Sequence, residues 1–225
     1  MDPVRPRRAR AELSAPVHTV AELAVEGAYV FTPHVFPDAR GVFLSPYLDT
    51  TFIEALGYPL FPVAQTSYSV SRRGVVRGLH YTTTPPGSAK FVSCPHGSVL
   101  DLVLDVRVGS PTFGRWDSVV LDSRDFRSVY LPTGVAHMFV ALEDDTVMSY
   151  ILSTEYVFEN ERALSPLDPA LGLPVPEDIE PILSERDRTA VTFAQARAAG
   201  LLPRYEACTE IEARSCPAKL PHGAA

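Results

Sequence analysis

An all-β jelly-roll barrel, with short peripheral helices toward the C-terminus, is the fold this sequence predicts. Three observations carry the prediction. Beyond residue 90, short apolar stretches recur at the roughly 8–12-residue spacing expected of a sandwich or barrel, each closed by a turn signal. The 21 prolines of the 225-residue chain favour turns and strands over helix. The run from Ser98 to Arg107, Ser-Val-Leu-Asp-Leu-Val-Leu-Asp-Val-Arg, is too apolar and β-branched for anything but a buried strand.

Taken in order, residues 1–25 read as a mobile N-terminal extension, with Arg5, Arg7, Arg8 and Arg10 set among Pro and Ala without periodicity. Residues 26–205 form the single barrel domain, and residues 206–225 a C-terminal tail, with loose structure past Leu202. Residues 27–36 are aromatic and β-branched and predict one or two strands. The turn Pro37-Asp-Ala-Arg-Gly41 then delivers Arg40 at a strand start. A short helix over 51–56 is capped by Asp49 or Thr50 and stopped by Gly57. A strand over 61–70 exposes Gln65, Ser67 and Ser69 on one face.

Strands follow over 75–81 and from Lys90 to Cys94, separated by a loop rich in Thr and Pro. Further strands are expected over 116–121, 128–131, 136–142 and 146–152, joined by Asp- and Gly-containing turns. Residues 164–187 are rich in Pro and Asp and wrap the barrel as loops with short helical turns. Thr192-Phe-Ala-Gln195 is a capping-box pattern that opens a short helix, and Gly200 stops it.

Composition narrows the function. A net charge of −7 lacks the excess of Lys and Arg that tracking a nucleic-acid backbone requires. No apolar run approaches the roughly 18 residues that span a bilayer, and the N-terminus lacks the apolar segment of a secretion signal, so a cytoplasmic protein is expected. Cys94, Cys208 and Cys216 have neither the spacing of a zinc site nor an even count. Cys94 reads as a core residue and the other two as part of the tail.

The chemistry concentrates in Gly74-Val-Val-Arg-Gly-Leu-His-Tyr81 and Lys90. A regular strand turns Arg77 and His80 to different sides. With Lys90 opening the next strand, and the two strands side by side, Arg, His and Lys converge on one concave place suited to a polyanionic substrate and to proton transfer. A lone strand His is more often a structural residue than a catalyst, so the rest of the chain must decide. Asp101 and Asp105 lie within the most apolar run. At least one of them must face a polar cavity or an arginine, with Arg77 and Arg107 the natural partners.

The ordered series Arg40-Gly41 with Phe43, Gly74 to Tyr81 with Lys90, Asp101-Leu-Val-Leu-Asp-Val-Arg107, Ser110-Pro-Thr-Phe-Gly-Arg-Trp116, Leu131-Pro-Thr-Gly-Val-Ala-His-Met-Phe139, Tyr150 and Leu183-Ser-Glu-Arg-Asp187 resembles the dTDP-4-dehydrorhamnose 3,5-epimerase family of cupins. The resemblance spans about residues 27–195. It implies epimerisation of a dTDP-linked 4-keto-6-deoxyhexose beside its ketone, at C3, C5 or both, without cofactor or metal. It also implies that His80 is the base and Asp187 holds its tautomer, while Tyr150 returns a proton to the opposite face and Lys90 stabilises the enolate. By the same matching Arg40, Gln65, Ser67, Arg77 and His137 contact the nucleotide sugar, Tyr156 stacks on sugar or thymine, and the enzyme is a homodimer. The reaction asks for such a set on its own terms: a base with a pKa near the working pH, a donor across the ring, and a fixed positive charge at the developing oxyanion.

Three departures from the family pattern stand out. The family commonly has Glu five residues after the arginine of the Arg-Gly pair, Asn at position 67 and Gly at position 138. All three are expected near the substrate, which points to antibiotic or secondary-metabolite sugars rather than plain rhamnose synthesis. Two other readings compete: a dTDP-4-keto-6-deoxyglucose 3,4-ketoisomerase and a non-catalytic nucleotide-sugar-binding cupin. A metal-dependent cupin is disfavoured because the His-x-His pair is missing.

Overall fold

The computed structural model describes residues 18–215. Two antiparallel sheets pack face to face and a small hairpin stands beside them. The six-stranded sheet runs in the order β1 (Thr19–Glu22), β2 (Tyr29–Thr32), β10 (Ser128–Leu131), β7 (Lys90–His96), β12 (Thr146–Leu152) and β5 (Gln65–Ser71). The five-stranded sheet runs β13 (Glu161–Ala163), β6 (Val76–Thr82), β11 (Val135–Ala141), β8 (Ser98–Asp105) and β9 (Trp116–Asp122). The hairpin is β3 (Val35–Asp38) with β4 (Gly41–Leu44). The jelly-roll expectation holds, and no helix among the described residues is long and apolar enough to cross a membrane.

The core lies in three layers. Between the sheets, Val99, Val103, Val135 and Phe139 of one meet Val92, Val129, Leu131 and Met148 of the other. Outside the five-stranded sheet, Leu79, Tyr81, Leu102, Leu104, Met138 and Val140 are covered by the C-terminal wrap through Leu164, Ile179 and Ala196. That is why β8 and β11 read as continuous apolar runs: both of their faces are buried. Over the six-stranded sheet, α1 (Asp49–Leu56) sets Phe52 among Phe31, Phe91 and Tyr130, with the Phe52 and Tyr130 rings edge to face at 5.2 Å.

One irregularity sets the orientation of the site strand. His80 pairs with His137 but Arg77 pairs with Phe139, so three residue steps on β6 oppose two on β11. This β-bulge restarts the alternation. Arg77 and His80, expected on different sides, therefore face the same interior. The extra residue is Gly78, at φ 123°, where a Cβ would lie 2.3 Å from that of Met138. Only glycine fits.

Other expectations need correction. Lys90 and His80 do not lie on neighbouring strands, because β7 and β6 belong to opposite sheets and meet across the barrel interior. Part of the expected N-terminal extension is strand: β1 pairs with β2 from Thr19↔Thr32 to Glu22↔Tyr29. The Arg5–Arg10 region and Cys216 lie outside the described residues. Helix α1 starts at Asp49, with Leu48 at its N-cap and no side-chain cap, while Gly57 ends it at φ 82° as expected. Strand β5 begins at Gln65 rather than at residue 61.

Two further short helices precede the tail. They are α2 (Glu185–Arg188) and α3 (Phe193–Ala198), the latter with the Thr192–Gln195 capping box in place. The tail itself is not loose: α4 (Tyr205–Ser215) is a helix that buries Cys208.

Helix α4 is held by polar contacts rather than by an apolar stripe. Arg107 bonds Asp105 through Nε and Nη2, both at 2.9 Å, and stacks 5.1 Å above the Tyr205 ring. Glu212 accepts from the Thr133 backbone N–H at 2.6 Å. Asp105 also accepts from the hydroxyls of Ser110 and Thr112. Burial pushes its carboxyl up, but these partners together outweigh burial and hold it below 3.8. Arg107 is thus the arginine expected beside the apolar run, and Arg77 is not, since its Nε donates to Ser71.

Candidate functional site

A cavity of about 450 Å³ opens between the sheets, lined by residues of both. Strand β6 supplies Arg77 and His80, brought together by the bulge, and β11 supplies His137. From the opposite sheet come Lys90 on β7, Tyr150 on β12, and Gln65 and Ser67 on β5.

His80 Nε2 lies 2.5 Å from Asp187 Oδ1. Asp187 is placed by the turn that opens α2. Ser184, the N-cap, accepts from the Asp187 backbone N–H and donates its hydroxyl to Asp187 Oδ2 at 2.8 Å. Burial raises the Asp187 carboxyl, but the bonds from His80 and Ser184 and the nearby Arg186 charge bring it below its ordinary value. It is a stable carboxylate with both oxygens satisfied. The Leu183–Asp187 motif thus reads as a cap that delivers an anion to the imidazole.

Across the cavity, the Tyr150 hydroxyl shares a hydrogen bond with Ser69 at 3.3 Å, and its ring stands edge-on to His137. Burial pushes the phenol up to about 12, so it keeps its proton at neutral pH. Lys90 has no ion pair among the described residues. Burial pulls its ammonium below the usual range, a pull that Glu161 opposes and Arg186 reinforces. Gln65 is used at both ends: its amide N donates to Ser67 at 2.8 Å and its oxygen accepts from the Tyr156 backbone N–H at 2.8 Å. This fixes the loop that carries Tyr156 to the rim.

Arg40 is the site candidate that the chain does not bring in. It lies on the β3–β4 hairpin with its side chain 90% exposed, paired to Asp38, and does not line the cavity. Met138 is a second correction: it is fully buried in the outer core against Gly78 and does not touch the cavity. Ser45, five residues after Arg40, does not line the cavity either, whereas Ser67 does.

Several lining residues escaped sequence reasoning. Arg186 sits beside Asp187 with Nη2 buried and without a hydrogen-bond partner among the described residues, and its guanidinium is 5.9 Å from the Phe158 ring. Glu161 accepts from Thr82 at 2.7 Å. Asp101, one of the two carboxylates expected to need a polar partner, does not line the cavity but lies behind it, bonding His137 Nε2 at 2.6 Å rather than an arginine. Among the described residues no group of three or more His, Cys, Asp or Glu is placed to hold a metal ion.

The family described as dTDP-4-dehydrorhamnose 3,5-epimerase matches residues 22–195. The chain belongs to this family. Within the epimerase family, it is 45% identical over 190 residues to the dTDP-4-dehydrorhamnose 3,5-epimerase of Mycolicibacterium smegmatis, covering 84% of this chain and 93% of that one. It is 46% identical to the dTDP-4-dehydro-6-deoxyglucose 3-epimerase of Streptomyces bikiniensis, covering 84% and 95%. Among solved structures it is similar to NovW, a 4-keto-6-deoxy sugar epimerase from the novobiocin gene cluster of Streptomyces spheroides. That match has a TM-score of 0.82 and 45% identity over 86% of this chain and 96% of that one. The cavity in this family member is the one built from His80, Lys90 and Tyr150.

Proposed function

We propose that this cavity epimerises a dTDP-linked 4-keto-6-deoxyhexose at C3, at C5 or at both, in the making of an antibiotic or other secondary-metabolite sugar. The observation that carries the reading is the placement of His80–Asp187 and Tyr150 on opposite walls of one cavity. Asp187, a carboxylate, accepts from Nε2–H and leaves Nδ1 of His80 as the base. His80 removes the proton from the carbon beside the ketone, and the electron pair moves onto the carbonyl oxygen. Lys90 neutralises that oxyanion. Tyr150, protonated at neutral pH, delivers its proton to the other face of the carbon and the configuration inverts. Arg77 and Arg186 hold diphosphate oxygens, Gln65 and Ser67 contact the sugar nucleotide, and Tyr156 stacks at the rim.

Arg40 fits the same reading through a second copy of the chain. The outer face of the edge strand β5 exposes Tyr68 at 73% and Val70 at 62%, and the hairpin exposes Phe43 at 69%. A homodimer that covers this apolar face carries Arg40 toward the partner's cavity. Mixing an Arg40→Ala chain with a His80→Asn chain then restores one competent site per mixed dimer.

The deciding experiment is NMR of dTDP-4-keto-6-deoxyglucose in deuterium oxide with the purified protein. Label entering at C3 or C5 with the ketone kept at C4 is expected. Migration of the carbonyl would make the protein a 3,4-ketoisomerase, and no label at all a binding protein. His80→Asn must lower incorporation by at least about 10²-fold.

A further inference from the structure

The cavity holds a second imidazole–carboxylate pair, built differently from the first. His137 and His80 are direct cross-strand partners, so the two rings stand side by side on the inner face of the five-stranded sheet. His137 Nε2 is 2.6 Å from Asp101 Oδ2. Asp101 lies in the barrel core at 1% exposure, and its Oδ1 is buried with no hydrogen-bond partner among the described residues. An ionised carboxylate accepts through both oxygens, and a buried one left half-satisfied is costly. Asp187 by contrast has an acceptor contact at each oxygen.

We propose that Asp101 is a positioning residue that makes His137 a fixed hydrogen-bond donor to the cavity, the pair holding one proton more than His80 and Asp187 hold. Two arrangements leave such a pair without net charge. In one, the carboxylate faces an imidazolium and both ring nitrogens carry hydrogen. In the other, a protonated carboxyl donates to Nε2, and the neutral ring keeps its hydrogen on Nδ1. Either way Nδ1 carries a hydrogen, and it has no other partner among the described residues.

The surroundings favour this neutral pair. Burial pushes the Asp101 carboxyl up more than the His137 imidazole draws it down. Burial holds the Cys94 thiol on β7 and the Tyr150 phenol on β12 near 12, so both stay neutral beside Asp101. His80 on β6 is taken up by Asp187, and the charge of Arg77 reaches Tyr150 from the same strand. Resting on the epimerase reading, the donor serves an oxygen of the hexose beside the carbon that His80 deprotonates. His137 is therefore not a second base.

The test is a long-range ¹H–¹⁵N correlation spectrum of the full chain labelled at histidine, recorded from pH 6 to 9 and assigned through the wild-type backbone so that no variant has to fold. A protonated-type Nδ1 at His137 throughout, beside a bare Nδ1 at His80 at the alkaline end, is expected. A bare Nδ1 at His137 near neutrality overturns the proposal. Kinetics add a second reading. Asp101→Asn, whose carboxamide donates to Nε2, should keep kcat within about tenfold, while Asp101→Leu loses on the order of 10²-fold with KM little changed. Equal losses in the two variants, or a folded Leu variant with full kcat, overturn it as well. The tautomer does not depend on substrate, so an inactive wild type would sink the epimerase reading and leave this one to be judged by the spectrum.

Discussion

The two sheets are closed in different ways. The five-stranded sheet is buried on both faces, with apolar residues inside and the C-terminal wrap outside, and it carries both imidazoles and Arg77. The six-stranded sheet carries Tyr150, Lys90, Gln65 and Ser67 and ends in β5, whose outer face is open. A base needs a defined tautomer and a fixed direction, which a wall packed on both sides provides. The phenol and ammonium need proximity, and the edge strand beyond them keeps Tyr68 and Val70 exposed.

The largest break of this division is His80→Asn, expected to lower solvent exchange into the sugar by at least 10²-fold and up to about 10⁴-fold with the fold intact by circular dichroism. Tyr150→Phe acts on the other wall. Inversion should fall by roughly 10²-fold while deuterium still enters with retained configuration, because the base remains. Were wash-in and inversion lost equally, the assignment of acid and base to separate walls would fail.

The doubly buried wall can also be broken sterically. Gly78→Ala forces a methyl onto Met138 and should cost at least about 1–3 kcal/mol in urea unfolding. Acid probes the same sheet at Asp105. Its folded pKa is lowered, so its contribution is complete above the ordinary value of 3.8 and lost as pH falls through the folded value. Stability should hold flat from neutral pH down to about 5 and then drop. Asp105→Asn should cost about 3–5 kcal/mol at neutral pH and flatten the drop. The smallest effect is expected at the open edge. Tyr68→Ser should change monomer stability by no more than about 0.5 kcal/mol, yet weaken association in sedimentation.

Much of this was legible in the chain. Strands β9, β10 and β12 lie where short apolar stretches and turn residues put them, because clear stops bound each one. The bulge was not legible, since an alternation argument assumes an unbroken period and Gly78 resets it. Helix α4 was missed because Arg107, Tyr205 and Glu212 anchor it through polar contacts that hydrophobic patterning does not register. The pairing of Asp187 with His80 links positions far apart in sequence, and only the resemblance suggested it. Arg40 shows the reverse case: the motif was visible, but within one chain it lies exposed on the hairpin, paired to Asp38 and away from the cavity.

At position 78 a hydrogen stands where every other amino acid has carbon, and that atom decides which way the chemistry faces. With a side chain there, β6 would have to lift from β11 or slide by one step. A slide would carry the imidazole into the outer packing and leave Leu79 looking at the sugar. The direction in which His80 faces thus traces back to the smallest residue of the strand.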